Sequence, residues 1–171
     1  MEHKAGISGS EILTALRRAQ ITHIAALPDI TTSDGLLWPI SKSADFTLIR
    51  LCKEDEGISI CAGLAYAGRR SVVMMQQTGL LDSLNAVQAI AIAFEQPVCL
   101  LVGLLGREPG VRPRDSEKHV VRIIEPILEA MGIEHFLIDT GSDVTRLSAA
   151  IDTAYAKSKP MVALIGGSVQ P

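Results

Sequence analysis

Six short apolar runs, separated by stretches of helical spacing, decide what this 171-residue chain can fold into. They cover residues 21–27, 46–51, 71–76, 98–104, 134–138 and 160–165. Ser10 can cap a first helix with Ile12, Leu13 and Leu16 as its buried stripe. Further helices are predicted from Glu54, over 79–94, from Ser116 to about Met131, and over 140–158 with Leu147, Ile151 and Ala154 on one face. Residues 30–45 read as a loop with a short helical piece around Leu36-Leu37-Trp38, and 106–115 as a surface loop. Residues 166–171 read as a tail whose Gly166-Gly167 suits a linker. Strands alternating with helices predict a doubly wound α/β fold, with a mainly parallel sheet of about six strands and helices on both faces. The length suits a single domain over 1–171. Aromatics are only 4% of a chain that is 47% hydrophobic, so the core is built from Ala, Ile, Leu and Val, as in helix-covered parallel sheets.

A net charge of −3 gives no electrostatic footprint for nucleic acid. No apolar run approaches the ~20 residues of a membrane span. Met1-Glu2-His3-Lys4 lacks an apolar signal core, which predicts a cytoplasmic location. Cys52, Cys61 and Cys99 each fall within an apolar element and are expected to be buried, reduced thiols. His3, His23, His119 and His135 have no metal-ligand spacing. Neither G-x-G-x-x-G nor G-x-x-x-x-G-K-[ST] occurs, so the common dinucleotide and P-loop signals are missing.

The chemistry concentrates in residues 54–85. On a helix, Glu56, Ile60, Gly63 and Ala67 stack along one face. Gly57, Ala62, Gly63, Ala65, Ala67 and Gly68 are more small residues than helix propensity favours, so tight packing is expected there. Taken by spacing alone, Glu56 is a carboxylate stabilising a helix N-terminus. Gln76-Gln77-Thr78-Gly79 follows a strand end and opens a helix, the usual ligand position in an open α/β sheet, or else a polar turn that caps the helix.

Glu56-Gly57 with Ile60-Cys61-Ala62-Gly63, a strand, then Met75-Gln76-x-Thr78-Gly79-Leu80 and Asn85-Ala86 resemble the pyrimidine-binding domain of thiamine-diphosphate decarboxylases. The alpha subunit of sulfopyruvate decarboxylase is the nearest in kind, with phosphonopyruvate decarboxylase next. The resemblance runs from about Leu27 to the C-terminus. Related enzymes carry roughly Gln-Asn-Ser-Gly-Leu-Gly-Asn where this chain has Gln76-Gln77-Thr78-Gly79-Leu80-Leu81-Asp82, and the departures bear on the substrate.

The resemblance implies decarboxylation of a 3-substituted pyruvate to an aldehyde and CO2. It makes Glu56 the catalytic residue, hydrogen-bonded to N1′ of the cofactor's aminopyrimidine, where a desolvated carboxyl shares a proton with a weak ring base. Gln76, Thr78 and Gly79 are cofactor-binding on this reading. Asp29, Gln77 and Arg107 are substrate-binding. Pro28-Asp29 equally suits turn chemistry. Of Arg107, Arg112 and Arg114, whose guanidinium groups suit a sulfonate or phosphonate, Arg107 lies nearest a strand end and the others suit a solvated loop.

Relatives hold the diphosphate and Mg²⁺ on a second domain through Gly-Asp-Gly and a later Asn, oxygen ligands of the kind Mg²⁺ requires. Asn85 is the only asparagine here, and Asp34-Gly35 lies far from it. The resemblance therefore implies a separate beta-type subunit that holds diphosphate and Mg²⁺, no metal site in this chain, a catalytic centre built at the interface of a homo- or hetero-oligomer, and no activity from the chain alone. Other readings are a thiamine-diphosphate component acting on another 2-keto acid or in carboligation, and a non-catalytic α/β binding or regulatory module whose Glu56 only caps a helix.

Overall fold

The computed structural model describes residues 6–171, so the expectations for His3 and for Met1-Glu2-His3-Lys4 lie outside the described residues. The elements run β1 (Ile7–Ser8), α1 (Gly9–Arg18), β2 (His23–Ala26), a π-helical turn (Ser33–Leu37), α2 (Trp38–Lys42), β3 (Thr47–Arg50) and α3 (Glu54–Tyr66). Next come β4 (Ser71–Gln76), α4 (Gln77–Asp82), α5 (Leu84–Ala86), a second π-helical segment (Val87–Ile92) and β5 (Cys99–Gly103). The chain ends through α6 (His119–Arg122), α7 (Ile124–Ala130), β6 (Glu134–Ile138), α8 (Gly141–Val144), α9 (Leu147–Lys157), β7 (Met161–Ile165) and β8 (Val169–Gln170).

Six strands form one sheet in the order β3-β2-β4-β5-β7-β6, and every neighbouring pair is parallel. The doubly wound α/β fold read from the sequence is therefore present. The period-2 alternation of each strand divides its side chains between two cores. Ile24, Val72, Met74, Leu101 and Ala163 pack with α1 and α9 on one face. Ala25, Val73, Met75, Leu100, Val102 and Leu164 pack with α3, α6 and α7 on the other. Both faces are covered, which is why these strands read as continuous apolar runs.

Several elements differ from the sequence reading, each for a local reason. Ser8 rather than Ser10 caps α1, its Oγ accepting from Glu11 N at 3.4 Å. The helix expected over 79–94 starts at Gln77 and is interrupted at Ser83. The Ser83 hydroxyl donates back to Gly79 O at 2.7 Å, a bond that bends helices. The helix expected from Ser116 starts at His119 and breaks at Ile123, three residues before Pro126, whose ring cannot continue the hydrogen-bond ladder. The Ser116 hydroxyl is spent on Glu108 at 2.6 Å. The helix expected over 140–158 divides into α8 and α9, α8 being closed by a Thr140/Asp143 capping box.

The tail is the largest correction. Val169–Gln170 is a strand, parallel to Ile7–Ser8, and Val169 N donates to Thr31 O at 2.9 Å. Gly35 makes this possible: a Cβ there would lie 2.6 Å from Val169 O, so only glycine lets the 33–37 turn touch β8.

The cysteine expectation is met in two of three places. Cys61 and Cys99 are buried on opposite faces of the sheet, whereas Cys52 is exposed in the loop before α3. Burial pushes the Cys61 thiol up to about 11 and raises that of Cys99 as well. The thiolate is the reactive form, so brief iodoacetamide treatment at mildly alkaline pH should label Cys52 alone. Mass spectrometry should find Cys61 and Cys99 modified only after denaturation, and rapid labelling of either in the native chain would contradict this packing.

Candidate active site

The connections leaving β2 and β4 run to opposite sides of the sheet, β2 out to β3 and β4 across to β5. A crevice at the C-terminal ends of two such diverging strands is the usual ligand position of an open α/β sheet. Three loops meet there. A Cβ on Gly103 would lie 2.8 Å from Thr31 Cβ, so the loop after β2 rests on the end of β5. Gln77, at the start of α4, reaches the loop after β5 and holds Leu105 through both backbone groups: its Nε2 donates to Leu105 O at 2.8 Å and its Oε1 accepts from Leu105 N at 2.9 Å.

The α3 helix enters this region with its first turn. Gly57 faces inward, where a Cβ would strike Val73 Cγ1 at 2.7 Å and Leu51 Cδ1 at 2.8 Å. That contact fixes the rotation of the helix and turns Glu56, Gly63 and Ala67 outward, all exposed, with Ile60 half-buried between them. The small-residue face is bare in this chain: nothing lies within 4 Å of a Cβ placed on Gly63. Glu56 Oε2 accepts from Cys52 N at 2.9 Å and from Lys53 N at 3.2 Å, satisfying two donors at the helix start. Both bonds fall on Oε2.

The other anticipated residues separate into two groups. Gln76 and Thr78 stand together at the end of β4, Gln76 Nε2 donating to Thr78 Oγ1 at 3.1 Å, with Thr78 exposed and Gln76 half-buried. Gly79 serves packing: the Glu54 side chain lies across it, its Oε1 2.6 Å from where a Cβ would be. Asp29, Gln77 and Arg107 are turned into the protein. Asp29 Oδ1 accepts from Thr31 N at 2.7 Å and Thr32 N at 3.0 Å, and its Oδ2 accepts from the Thr32 hydroxyl, the turn chemistry of an Asx motif. Gln77 is 1% exposed and holds Leu105. The Arg107 side chain is 1% exposed, with Nε donating to Gly166 O at 2.7 Å, Nη1 to Val111 O and Nη2 to Asp139. Three of its five N–H groups thus bond within the chain, and the residue lines a cleft at this edge of the sheet.

Sequence reading missed Lys53 and Asp139. Lys53 Nζ bridges Asp55 at 3.3 Å and Asp82 at 3.1 Å, tying the start of α3 to the end of α4, and these carboxylates, Asp82 first, hold the ammonium above its usual range. Asp139 follows a strand end as Asp29 does, a signal that could have paired it with Arg107. A cleft of about 340 Å³ lies beside the crevice, lined by Ile7, Thr31, Leu105, Arg107, Asp139 and Gly166. Among the described residues, no group of three or more His, Cys, Asp or Glu could hold a metal ion, and no helix is long and apolar enough to cross a membrane.

This fold is found in decarboxylases. The benzoylformate decarboxylase of Polynucleobacter necessarius superposes on 96% of the chain with a TM-score of 0.68 at 17% identity, over 32% of its own length. In sequence, the chain is similar to sulfopyruvate decarboxylases. It is 27% identical over 128 residues to the sulfopyruvate decarboxylase of Methanosarcina acetivorans, a match to 74% of this chain but only 32% of that protein. It is 26% identical over 154 residues to the sulfopyruvate decarboxylase subunit alpha of Methanocaldococcus jannaschii, covering 90% of this chain and 89% of the relative. The resemblance read from residues 54–85 is thus met by relatives that match 74% and 90% of this chain. No protein-family model matches the chain.

Proposed function

We propose that this chain is the pyrimidine-binding subunit of a thiamine-diphosphate-dependent decarboxylase that converts a 3-substituted pyruvate to an aldehyde and CO2. The observation that carries the reading is Glu56, an exposed carboxylate on the first turn of α3 whose bonds within the chain use Oε2 alone. The residues fit an aminopyrimidine. Glu56 Oε1 is available to share a proton with its N1′, Gln76 and Thr78 offer polar atoms at the end of β4, and Gly63 leaves room for close approach. The bound cofactor supplies the electron sink that takes up the pair left when CO2 departs. The chain's own part is to hold the proton at Glu56 and to fix that carboxylate through Cys52 N and Lys53 N.

The diphosphate and Mg²⁺ fall to a beta-type partner subunit on this reading, as the single asparagine of the chain suggests. The Methanocaldococcus relative carries the name of an alpha subunit. The exposed face of α3 is where such a partner, or a second copy, would dock and exclude water from Glu56. Gly63→Ala tests this. With nothing within 4 Å, the methyl group should stabilise the free chain by up to about 1 kcal/mol through helix propensity. Gly63→Leu should leave the free chain folded and weaken assembly, read by analytical ultracentrifugation, and unimpaired assembly would place the partner elsewhere.

The Glu56 bonds to Cys52 N and Lys53 N favour a second reading, a non-catalytic module in which Glu56 is only a cap. Calorimetric titration of thiamine diphosphate with Mg²⁺ separates the two. Binding to the chain mixed with a diphosphate-binding subunit, and not to the chain alone, is the expected result. Tight binding to the chain alone would contradict the divided site.

A further inference from the structure

We propose that the cleft beside the crevice receives the 3-substituent of the 2-keto acid, and that the buried Gln77 is the positioning residue that sets the wall of this subsite. The inference rests on the decarboxylase reading above and adds where the variable end of the substrate lies. The cleft is lined by Thr31, Leu105, Gly106, Arg107 and Gly166. A run of contacts joins it to the helix of Glu56. Glu54, on the same turn of α3, lies across Gly79 of α4. Gln77 opens α4 and holds Leu105 by both backbone groups. Gln76 and Gly103, which end β4 and β5, are register partners, and Thr31 rests on Gly103. Glu56 and the cleft therefore share the C-terminal edge of the sheet, with α4 between them. The crevice is the place for the reacting carbons, and the cleft is the neighbouring space for the group they carry.

Among the described residues, the Gln77 amide is the partner of both Leu105 N and Leu105 O. The Arg107 side chain anchors the same loop toward Gly166 and Asp139, so Gln77 decides its position on the side of α4. A buried amide bonded in this way acts on a substrate only through Leu105. Losing the two bonds shifts Leu105 in the cleft wall. A substituted pyruvate feels that shift, and pyruvate does not.

The test is kcat and KM of the assembled enzyme for sulfopyruvate, phosphonopyruvate and pyruvate, the last read by its Ki where it is not turned over. Gln77→Met keeps the buried volume and removes both bonds. It should raise KM for the two substituted acids about tenfold, with kcat and the pyruvate values changed less than about twofold. Gln77→Glu supplies a readout that packing alone would not move. Its protonated carboxyl donates to Leu105 O and accepts from Leu105 N, as the amide does. Its ionised form loses the donor and faces a carbonyl oxygen. Burial raises the pKa of such a carboxyl, so the variant should match the wild type at about pH 5.5 and behave as Gln77→Met at about pH 9. In the free chain, Leu105 N–H should exchange with solvent at least about tenfold faster in Gln77→Met than in the wild type. Equal losses on pyruvate and the substituted acids, a Gln77→Glu ratio to wild type that ignores pH, or unchanged exchange at Leu105 would each overturn the inference and leave the decarboxylase reading intact. Should Gln77→Met fail to fold, the Gln77→Glu comparison decides alone. An assembly that turns over none of the three acids would overturn that reading and this inference with it.

Discussion

Glu56→Gln is expected to lower turnover of the assembled enzyme by about 10²–10⁴-fold, the range for removing a positioned general acid or base, with fold and assembly unchanged. The substitution separates the two things Glu56 can do. A glutamine side-chain oxygen still accepts from Cys52 N and Lys53 N, so the helix start keeps its partners. Only the charge is lost, and its interaction with the α3 dipole is worth about 0.3–1 kcal/mol at an exposed site. A thermal melt should therefore barely move while activity collapses. Glu56→Ala would remove cap and carboxylate together and could not separate them. Glu54 is the matched control: it lies two residues away, but its carboxylate packs across Gly79. If Glu56→Gln keeps full turnover, the capping bonds are its whole function and the non-catalytic reading stands.

The strands were legible because a sheet covered on both faces demands unbroken apolar runs, and residues 71–76 and 134–138 give their strands to the residue. Helix interruptions were not, because they hang on single local bonds, such as the Ser83 hydroxyl turning back to Gly79 O. The strand Val169–Gln170 was hidden for a different reason: its partner is Ile7–Ser8, at the far end of the chain, and no local pattern announces such a pairing. In the site, residue type told chemistry but not direction. Gln76 and Gln77 are adjacent, yet one ends a strand and stays half-exposed while the other begins a helix and is buried. The helical spacing did assign Glu56, Ile60, Gly63 and Ala67 to one face, but the expected tight packing falls on Gly57, which points the other way. What covers the outward face is not encoded in contacts within the chain.

Replacing Arg107 by leucine should destabilise the isolated chain by about 1–3 kcal/mol, the cost of leaving buried hydrogen-bond partners unsatisfied. The side chain is 1% exposed and ties three neighbouring strands together just beyond their ladders: the loop after β5 through its own backbone and Val111, Gly166 after β7, and Asp139 after β6. Leucine would take the guanidinium away from the Asp139 carboxylate and leave the carbonyls of Gly166 and Val111 without these donors. For a domain of this size that corresponds to a melting point lower by roughly 2–12 °C. Gly166→Ala should also be damaging, because a Cβ there would lie 2.7 Å from Arg107 Nη2. Removing Asp139 together with Arg107 should recover part of the loss, since an apolar pair strands no charge. Urea denaturation of the four combinations measures the coupling. The outcome also decides between two roles that residue type alone left open. A guanidinium reserved for a substrate anion would be dispensable for folding, and Arg107→Leu would then raise KM for sulfopyruvate while leaving the melt in place. A guanidinium that holds three strand ends together must fail in the opposite order, losing stability before any substrate is added.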